Sequence, residues 1–363
     1  MVQVESRLTK IRNLLIERDI DAVLISQPEN RYYLSGFDGT AGFLIITKEG
    51  NILATDFRYL EQAKKQAPDS EIFKTAGEIE DWFPKLIGKL SIKSICFENN
   101  HLTFATYNRL LGILTRYSPQ IRLVPTEELV DSLRAVKEPQ EIEFITEAVA
   151  LADAAINYSI DNIKPGMTEL VAAWEIESYL RENGSQSLPF DVIVTSGPNS
   201  ALPHAKPTER KIKRGEPVLI DLGAKVQNYM SDLSRTLYLG EPDDTFKSIY
   251  SIVLRAQQTA IDGITSGMNG MAADSLARVI IKHSGYGAQF GHSLGHGIGL
   301  SIHEEPYLRQ GYKGNLVDNM VFTIEPGIYI SGWGGVRLED TVILENGKIR
   351  LLSQAKKYDY GGL

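Results

Sequence analysis

The sequence predicts two domains of different class, an α/β domain over residues 1–130 and an α+β domain over residues 131–363. Three observations predict this. A chain of 363 residues is longer than one typical domain and suggests about two. Up to residue 125, strand-like apolar runs alternate with helix-spaced segments, as in a three-layer α/β unit. Beyond that point strands and helices are grouped, as in an α+β unit with antiparallel sheet.

Taken in order, Val4, Leu8, Ile11, Leu14 and Leu15 fall at helical spacing and predict a helix over 4–18. Ala22-Val23-Leu24-Ile25 reads as a buried strand, and Gly36 to Ala41 as a glycine-bearing loop. Residues 42–47 and 52–55 form a hairpin with its turn at Lys48-Glu49-Gly50-Asn51. Helices over 56–66, 79–90 and 103–114 and strands at 71–73, 94–98 and 121–124 complete this half. Residues 127–136 form a short helical connector. Pro139 suits the first turn of a long helix over 139–162, which Lys164-Pro165-Gly166 ends. Thr168 is the N-cap of the next helix, which runs to Glu182. Two further helices are expected at 243–266 and 271–284, among hairpins.

Composition narrows the function classes. Apolar residues make up 43% and charged residues 23%, ordinary for a soluble protein with a full core. The formal net charge is −8 without a long Lys/Arg run, which argues against nucleic acid or anionic membrane as the main partner. No apolar run approaches the roughly 18 residues of a membrane span. The stretch Met1 to Ile20 lacks the apolar core of a secretory signal. Cys96 is the only cysteine, which fits a reducing compartment. The expected location is the cytoplasm.

Five side chains interrupt or border runs that otherwise read as buried: Asp221, Asp232, His296, Glu325 and Glu339. Burying one unpaired carboxylate costs several kcal/mol, so four require a large positive charge among them. Four carboxylates and one imidazole, with no cysteine, form a hard, oxygen-rich ligand set that suits two divalent cations better than one structural zinc. Strands 217–223 and 231–239 flank a polar reversal, and Asp221 lies opposite Asp232 if the turn centres between Val226 and Gln227. Opposed side chains lie about 4.5–5.5 Å apart at Cβ, a repulsive spacing unless a cation sits between them. The competing reading is that one aspartate caps a turn and the other faces solvent.

Three of the six histidines, His292, His296 and His303, fall within twelve residues of a glycine-rich segment that disfavours helix. Such a cluster more often forms a site than a core. His101 and His283 read as surface residues, and His204 is ambiguous alone. Arg337 shares a strand face with Glu339 and is a candidate to orient a carboxylate, the alternative being a surface ion pair.

With these residues in their neighbouring phrases, the chain resembles the pita-bread metallopeptidases, which include aminopeptidase P, prolidase, methionine aminopeptidase and the non-metal creatinase. The spacings of eleven residues between the aspartates, twenty-nine from His296 to Glu325 and fourteen between the glutamates match the Xaa-Pro branch. Phe37-Asp38-Gly39-Thr40-Ala41-Gly42 and Thr55-Asp56-Phe57-Arg58-Tyr59 resemble the creatinase-type N-terminal domain, which methionine aminopeptidases lack.

The resemblance implies two divalent metal ions, typically manganese, with cobalt or zinc as alternatives. Asp221 would bind one ion, Asp232 and Glu339 would be shared, and His296 and Glu325 would complete the second site. Glu325 would also move protons, His303 would stabilise the oxyanion and His204 would hold the leaving side. His292 and Arg337 would contribute to substrate binding. The implied partners are proline-containing peptides and a second copy in a homodimer. Prolidases of this kind carry an Arg just after the His-Glu-x-Pro segment, whereas here Tyr307 follows Pro306 and the Arg comes at Arg309. The expected activity is therefore an Xaa-Pro aminopeptidase. Its alternatives are an Xaa-Pro dipeptidase (prolidase), a metal-free creatinase-like enzyme, and a non-catalytic peptide-binding protein on the same fold.

Overall fold

The computed structural model describes residues 4–358, and the chain divides into two compact units between Arg134 and Ala135. The first unit is a mixed sheet with helices. Its strands are β1 (Ala22–Ile25), β2 (Phe43–Thr47), β3 (Asn51–Thr55), β4 (Glu71–Lys74), β5 (Ser94–Glu98) and β6 (Arg122–Thr126), in the order β4-β3-β2-β1-β5-β6. The meander β1-β2-β3 is antiparallel, and β4, β5 and β6 each join in parallel. Such parallel joins need crossover helices. These are α3 (Leu60–Gln66), α4 (Ile79–Ile87) and α5 (Phe104–Tyr117), with α1 (Val4–Glu17) preceding β1. Trp82 and Phe83 of α4 and Leu110 and Leu114 of α5 share a core with Leu24, Ile45, Ala54 and Ile95 of the sheet. Cys96 on β5 is fully buried, and burial pushes its thiol up to about 12.

A helix not predicted from the sequence, α2 (Pro28–Ser35), follows β1. Its amphipathic signal is weak because its buried residues include Asn30, Arg31 and Ser35. Its ends do carry local signals, Pro28 in the first turn and Gly36 in the left-handed region at φ 77°. A connector helix, α6 (Asp131–Ala135), follows the sheet.

The second unit has two halves of similar make-up. The first holds α7 (Pro139–Asn162), α8 (Glu169–Glu182) and the antiparallel strands β7 (Ile193–Ser196), β8 (Pro217–Leu222) and β11 (Leu233–Tyr238), in the order β11-β8-β7. Thr168 Oγ1 accepts from Val171 N at 3.2 Å and caps α8. Ala152 and Ile156 of α7 and Ile176 and Leu180 of α8 pack on Val194, Ile220 and Leu237. The second half holds α9 (Asp244–Gly263), α10 (Gly270–His283) and a five-stranded sheet. That sheet runs β13-β12-β14-β17-β18, from β12 (Gly295–Gly297), β13 (Glu304–Leu308), β14 (Val321–Ile324), β17 (Asp340–Glu345) and β18 (Lys348–Leu351). The ribbon β15 (Gly327–Ile330) and β16 (Gly334–Arg337) completes it. Among the described residues no helix is long and apolar enough to cross a membrane.

The hairpin that carries the two aspartates differs from expectation in register. Asp221 pairs with Ser234 and Leu222 with Leu233. The tip is a separate small ribbon, β9 (Lys225–Val226) and β10 (Tyr229–Met230), with Val226 opposite Tyr229. The turn therefore centres between Gln227 and Asn228, both at positive φ, 49° and 69°. This is the twist that two-residue hairpin turns require, reached here without glycine. Asp232 thus lies diagonal to Asp221 rather than opposite.

The glycines of β12 have a steric reason. A Cβ on Gly295 would lie 1.9 Å from Thr323 O, and one on Gly297 would lie 2.1 Å from Glu305 O. Only glycine lets this strand sit so close between its neighbours, with His296 between the two.

Candidate metal centre

The five predicted side chains all come from strand ends or strand middles of the second unit. Asp221 is in β8, Asp232 immediately precedes β11, His296 is the centre of β12, Glu325 follows β14, and Glu339 lies between β16 and β17. His296 Nε2 is 3.6 Å from Asp232 Oδ2 and 3.4 Å from Glu325 Oε1. One ligand atom each of Asp232, His296 and Glu339 lies within 4.8 Å of the others. His296 Nδ1 is 3.1 Å from Gly297 O. That contact requires the proton on Nδ1 and leaves the Nε2 lone pair facing the carboxylates. Asp221 is held by Arg337 Nη2, which donates to its Oδ2 at 2.6 Å.

Electrostatics point the same way. The carboxyls of Asp232 and Glu325 are raised well above the ordinary range, first by burial and then by the charge of Glu339, with Asp221 adding to both. Glu339 is raised to about 8 by burial and then by Asp221. Burial, followed by the charge of His303, lowers His296 to about 3, so its imidazole is neutral. Asp221 Oδ1 and Glu339 Oε1 are buried without a hydrogen-bond partner. Buried acceptors left unpaired are costly, and a cation is the partner that would satisfy these. The donor set is oxygen-rich with one imidazole nitrogen, and it fits hard or borderline divalent ions.

Residues not singled out from the sequence hold these ligands. Ser234, opposite Asp221, accepts from Arg337 Nε at 2.8 Å and donates to Glu339 Oε2 at 2.8 Å. Arg337 is 3% exposed, and its Nη1 donates to Tyr329 Oη at 3.0 Å and Pro203 O at 3.2 Å. Three of its nitrogens thus donate to acceptors within the protein, Asp221 among them. Tyr329, lifted to about 12 by burial, keeps its proton. Since it accepts from Arg337, that proton points at His292 Nε2, 3.0 Å away. His292 Nδ1 then donates to Ser293 O at 2.8 Å. Burial, and then Arg337, lower His292 to about 4. It is a neutral ring with both nitrogens engaged. No local pattern marks Tyr329 or Ser234 in the sequence; the only signal is that Tyr329 stands four residues after Glu325.

His303 is exposed, and its ring meets that of His296 edge-on at 4.2 Å. Burial first, then the charge of His204, lower its pKa. His204 is exposed on the segment between β7 and β8. Another residue that no sequence pattern marks, Glu169, ties that segment down. It is 0% exposed. Its Oε1 accepts from Ser196 N at 2.7 Å and Ser196 Oγ at 2.8 Å, and its Oε2 accepts from Asn199 Nδ2 at 3.0 Å and Thr208 Oγ1 at 2.7 Å. Of the other histidines, His101 and His283 are exposed, as read from the sequence.

Comparison with known proteins agrees with this geometry. Residues 143–346 match metallopeptidase family M24, and residues 7–136 match the creatinase/prolidase N-terminal domain. The chain is 38% identical to an Xaa-Pro dipeptidase of Pyrococcus horikoshii, over 96% of this chain and 97% of that protein. It superposes on an Xaa-Pro dipeptidase from Bacillus anthracis with a TM-score of 0.93 at 40% identity, covering 98% of this chain and 99% of that one. It superposes on an X-Pro aminopeptidase from Thermotoga maritima with a TM-score of 0.88 at 36% identity, covering 96% and 97%.

Proposed function

The chain belongs to metallopeptidase family M24, with a creatinase-type N-terminal domain before a pita-bread catalytic domain, and from that premise we propose that it is an Xaa-Pro dipeptidase working with two divalent cations. The observation that carries the metal reading is the convergence of Asp232, His296, Glu325 and Glu339 with two stranded buried oxygens, on Asp221 and Glu339. The dipeptidase reading draws support from the names borne by relatives such as the Pyrococcus horikoshii and Bacillus anthracis proteins.

Asp221, Asp232 and Glu339 would hold one cation, and Asp232, His296, Glu325 and Glu339 the other. Divalent cations there supply Lewis acidity, which acidifies water and polarises a carbonyl. Manganese is the expected metal, with cobalt and zinc as alternatives. Glu325, buried beside His296, would act as the carboxylate that takes the proton of the attacking water and passes it towards the proline nitrogen. His303, exposed beside His296, donates to the developing oxyanion, and His204 holds the leaving side. His292 offers substrate a neutral ring face, an apolar wall for proline, because its nitrogens are already engaged. Arg337 orients Asp221.

A second reading, Xaa-Pro aminopeptidase, is favoured by one observation. Tyr307, not arginine, follows Pro306, and Arg309 is exposed with its guanidinium over the Tyr307 ring at 5.2 Å. The test is hydrolysis of Xaa-Pro and of Xaa-Pro-Yaa-Yaa by chelated protein with and without added manganese. Metal-dependent cleavage of the dipeptide alone is the expected result. Release of the first residue from the longer peptide makes it an aminopeptidase. Cleavage of neither with manganese, nor with cobalt or zinc added in its place, overturns both readings.

A further inference from the structure

Helix α9 presents an apolar stripe to the core of the second half through Tyr250, Val253 and Ala260, and Gln257 sits on that same stripe, 0% exposed. Its Nε2 lies 3.0 Å from Ile324 O and 3.0 Å from Leu338 O. Both neighbours are carbonyls, so the NH2 end must face them, one proton to each; the reversed amide would set oxygen against oxygen. The Oε1 is left buried without a partner. A methionine would fill a similar volume with no stranded polar atom, so packing does not account for a glutamine at this position.

Its two acceptors do account for it. Ile324 and Leu338 are the residues immediately before Glu325 and Glu339. The two carbonyls stand on separate stretches of chain, one ending β14 and the other following β16. A single amide thus joins the backbone at the root of each glutamate. The two stretches pair at Ile324–Asp340 and at Gly327–Arg337, and between those pairs Leu338 N donates only a long bond, 3.4 Å, to Pro326 O, so Gln257 braces the ladder where its own bonding is weakest. We propose that Gln257 is a positioning residue that sets the separation of the Glu325 and Glu339 carboxylates and thereby the affinity of the site for divalent cations. This rests on the metal reading above.

The test is a manganese binding isotherm on cation-free wild type and Gln257→Met, followed by turnover at rising manganese. Residues that hold ligands from behind are typically worth about 10–100-fold in metal affinity. The variant is expected to lose about tenfold or more for at least one cation, with turnover recovering as manganese is raised. A lowered Tm with an unchanged isotherm overturns the proposal and makes Gln257 a core residue only. Gln257→Glu keeps the shape but offers at most one proton to the two carbonyls. Should the methionine variant fail to fold, the same loss is expected of it, and an unchanged isotherm there overturns the proposal equally. A wild type that binds manganese but cleaves no Xaa-Pro peptide overturns the function reading alone, and one that binds none overturns both.

Discussion

Glu325 combines burial, a raised pKa and contact with His296 Nε2 at 3.4 Å, which makes it the group whose chemistry is easiest to isolate. Glu325→Gln keeps the volume and removes the base. It is expected to fold and to lose about 10²–10⁴-fold in turnover, read as kcat on an Xaa-Pro substrate with bound metal counted in parallel. Near-normal kcat with metal present would sink the proton-shuttle role. At this scale the sequence was legible wherever a charged side chain broke an apolar run, as at Asp221 and Glu325. It was not legible for Ser234 or Tyr329, because a serine or tyrosine in a strand is ordinary and gains meaning only from the Arg337 fork that reaches it. Gln257 did leave a trace, a polar residue on an apolar helical stripe, and that pattern is open to the same reasoning as the carboxylates.

Single elements were predictable where their ends carry their own signals. The long helix Pro139–Asn162 and the capped helix ending at Glu182 begin and end as read, because proline, threonine and the Lys164-Pro165-Gly166 breaker act within a few residues. The β8–β11 register was missed because its turn uses two non-glycine residues at positive φ, which composition does not announce. The segment from Ser196 to Thr208 also depends on a distant residue, since both its ends bond to the Glu169 carboxylate. Glu169→Ala is expected to cost about 3 kcal/mol, seen as a lower denaturant midpoint. Glu169→Gln, which keeps one acceptor, is expected to cost less in stability while loosening His204. Its loss in kcat/KM should then largely vanish in a His204→Ala background. Equal losses in both backgrounds would mean that Glu169 does not act through His204.

Across the whole molecule, the metal centre ties stability to pH. In the chelated protein Glu339 titrates near 8 rather than 4.5, and Asp232 and Glu325 are raised in the same direction. The folded chain then holds protons that the unfolded chain has released, so stability falls as pH rises through that range. His292 and His296 have the opposite sign. Lowered from 6.5 to about 4 and about 3, they weaken the fold as pH drops below 6.5. Between pH 6.5 and 8 the carboxylates dominate. The Tm of chelated protein is expected to decline across that window, and excess manganese should reverse the decline by binding the folded state. A flat Tm in chelator would count against four crowded carboxylates. The two-unit organisation was itself readable, because alternation in the first half and grouping in the second are properties of the whole pattern and tolerate errors at single elements.

The solitary, sealed thiol of Cys96 has a practical consequence for spectroscopy. A thiol that stays protonated and enclosed is inert to maleimide and iodoacetamide reagents. The native chain therefore gives almost no labelling background, and a cysteine introduced at an exposed position would carry a dye or spin label alone. With one label at Lys206, two residues from His204, movement of that segment on peptide binding could be followed in real time without first deleting any native residue.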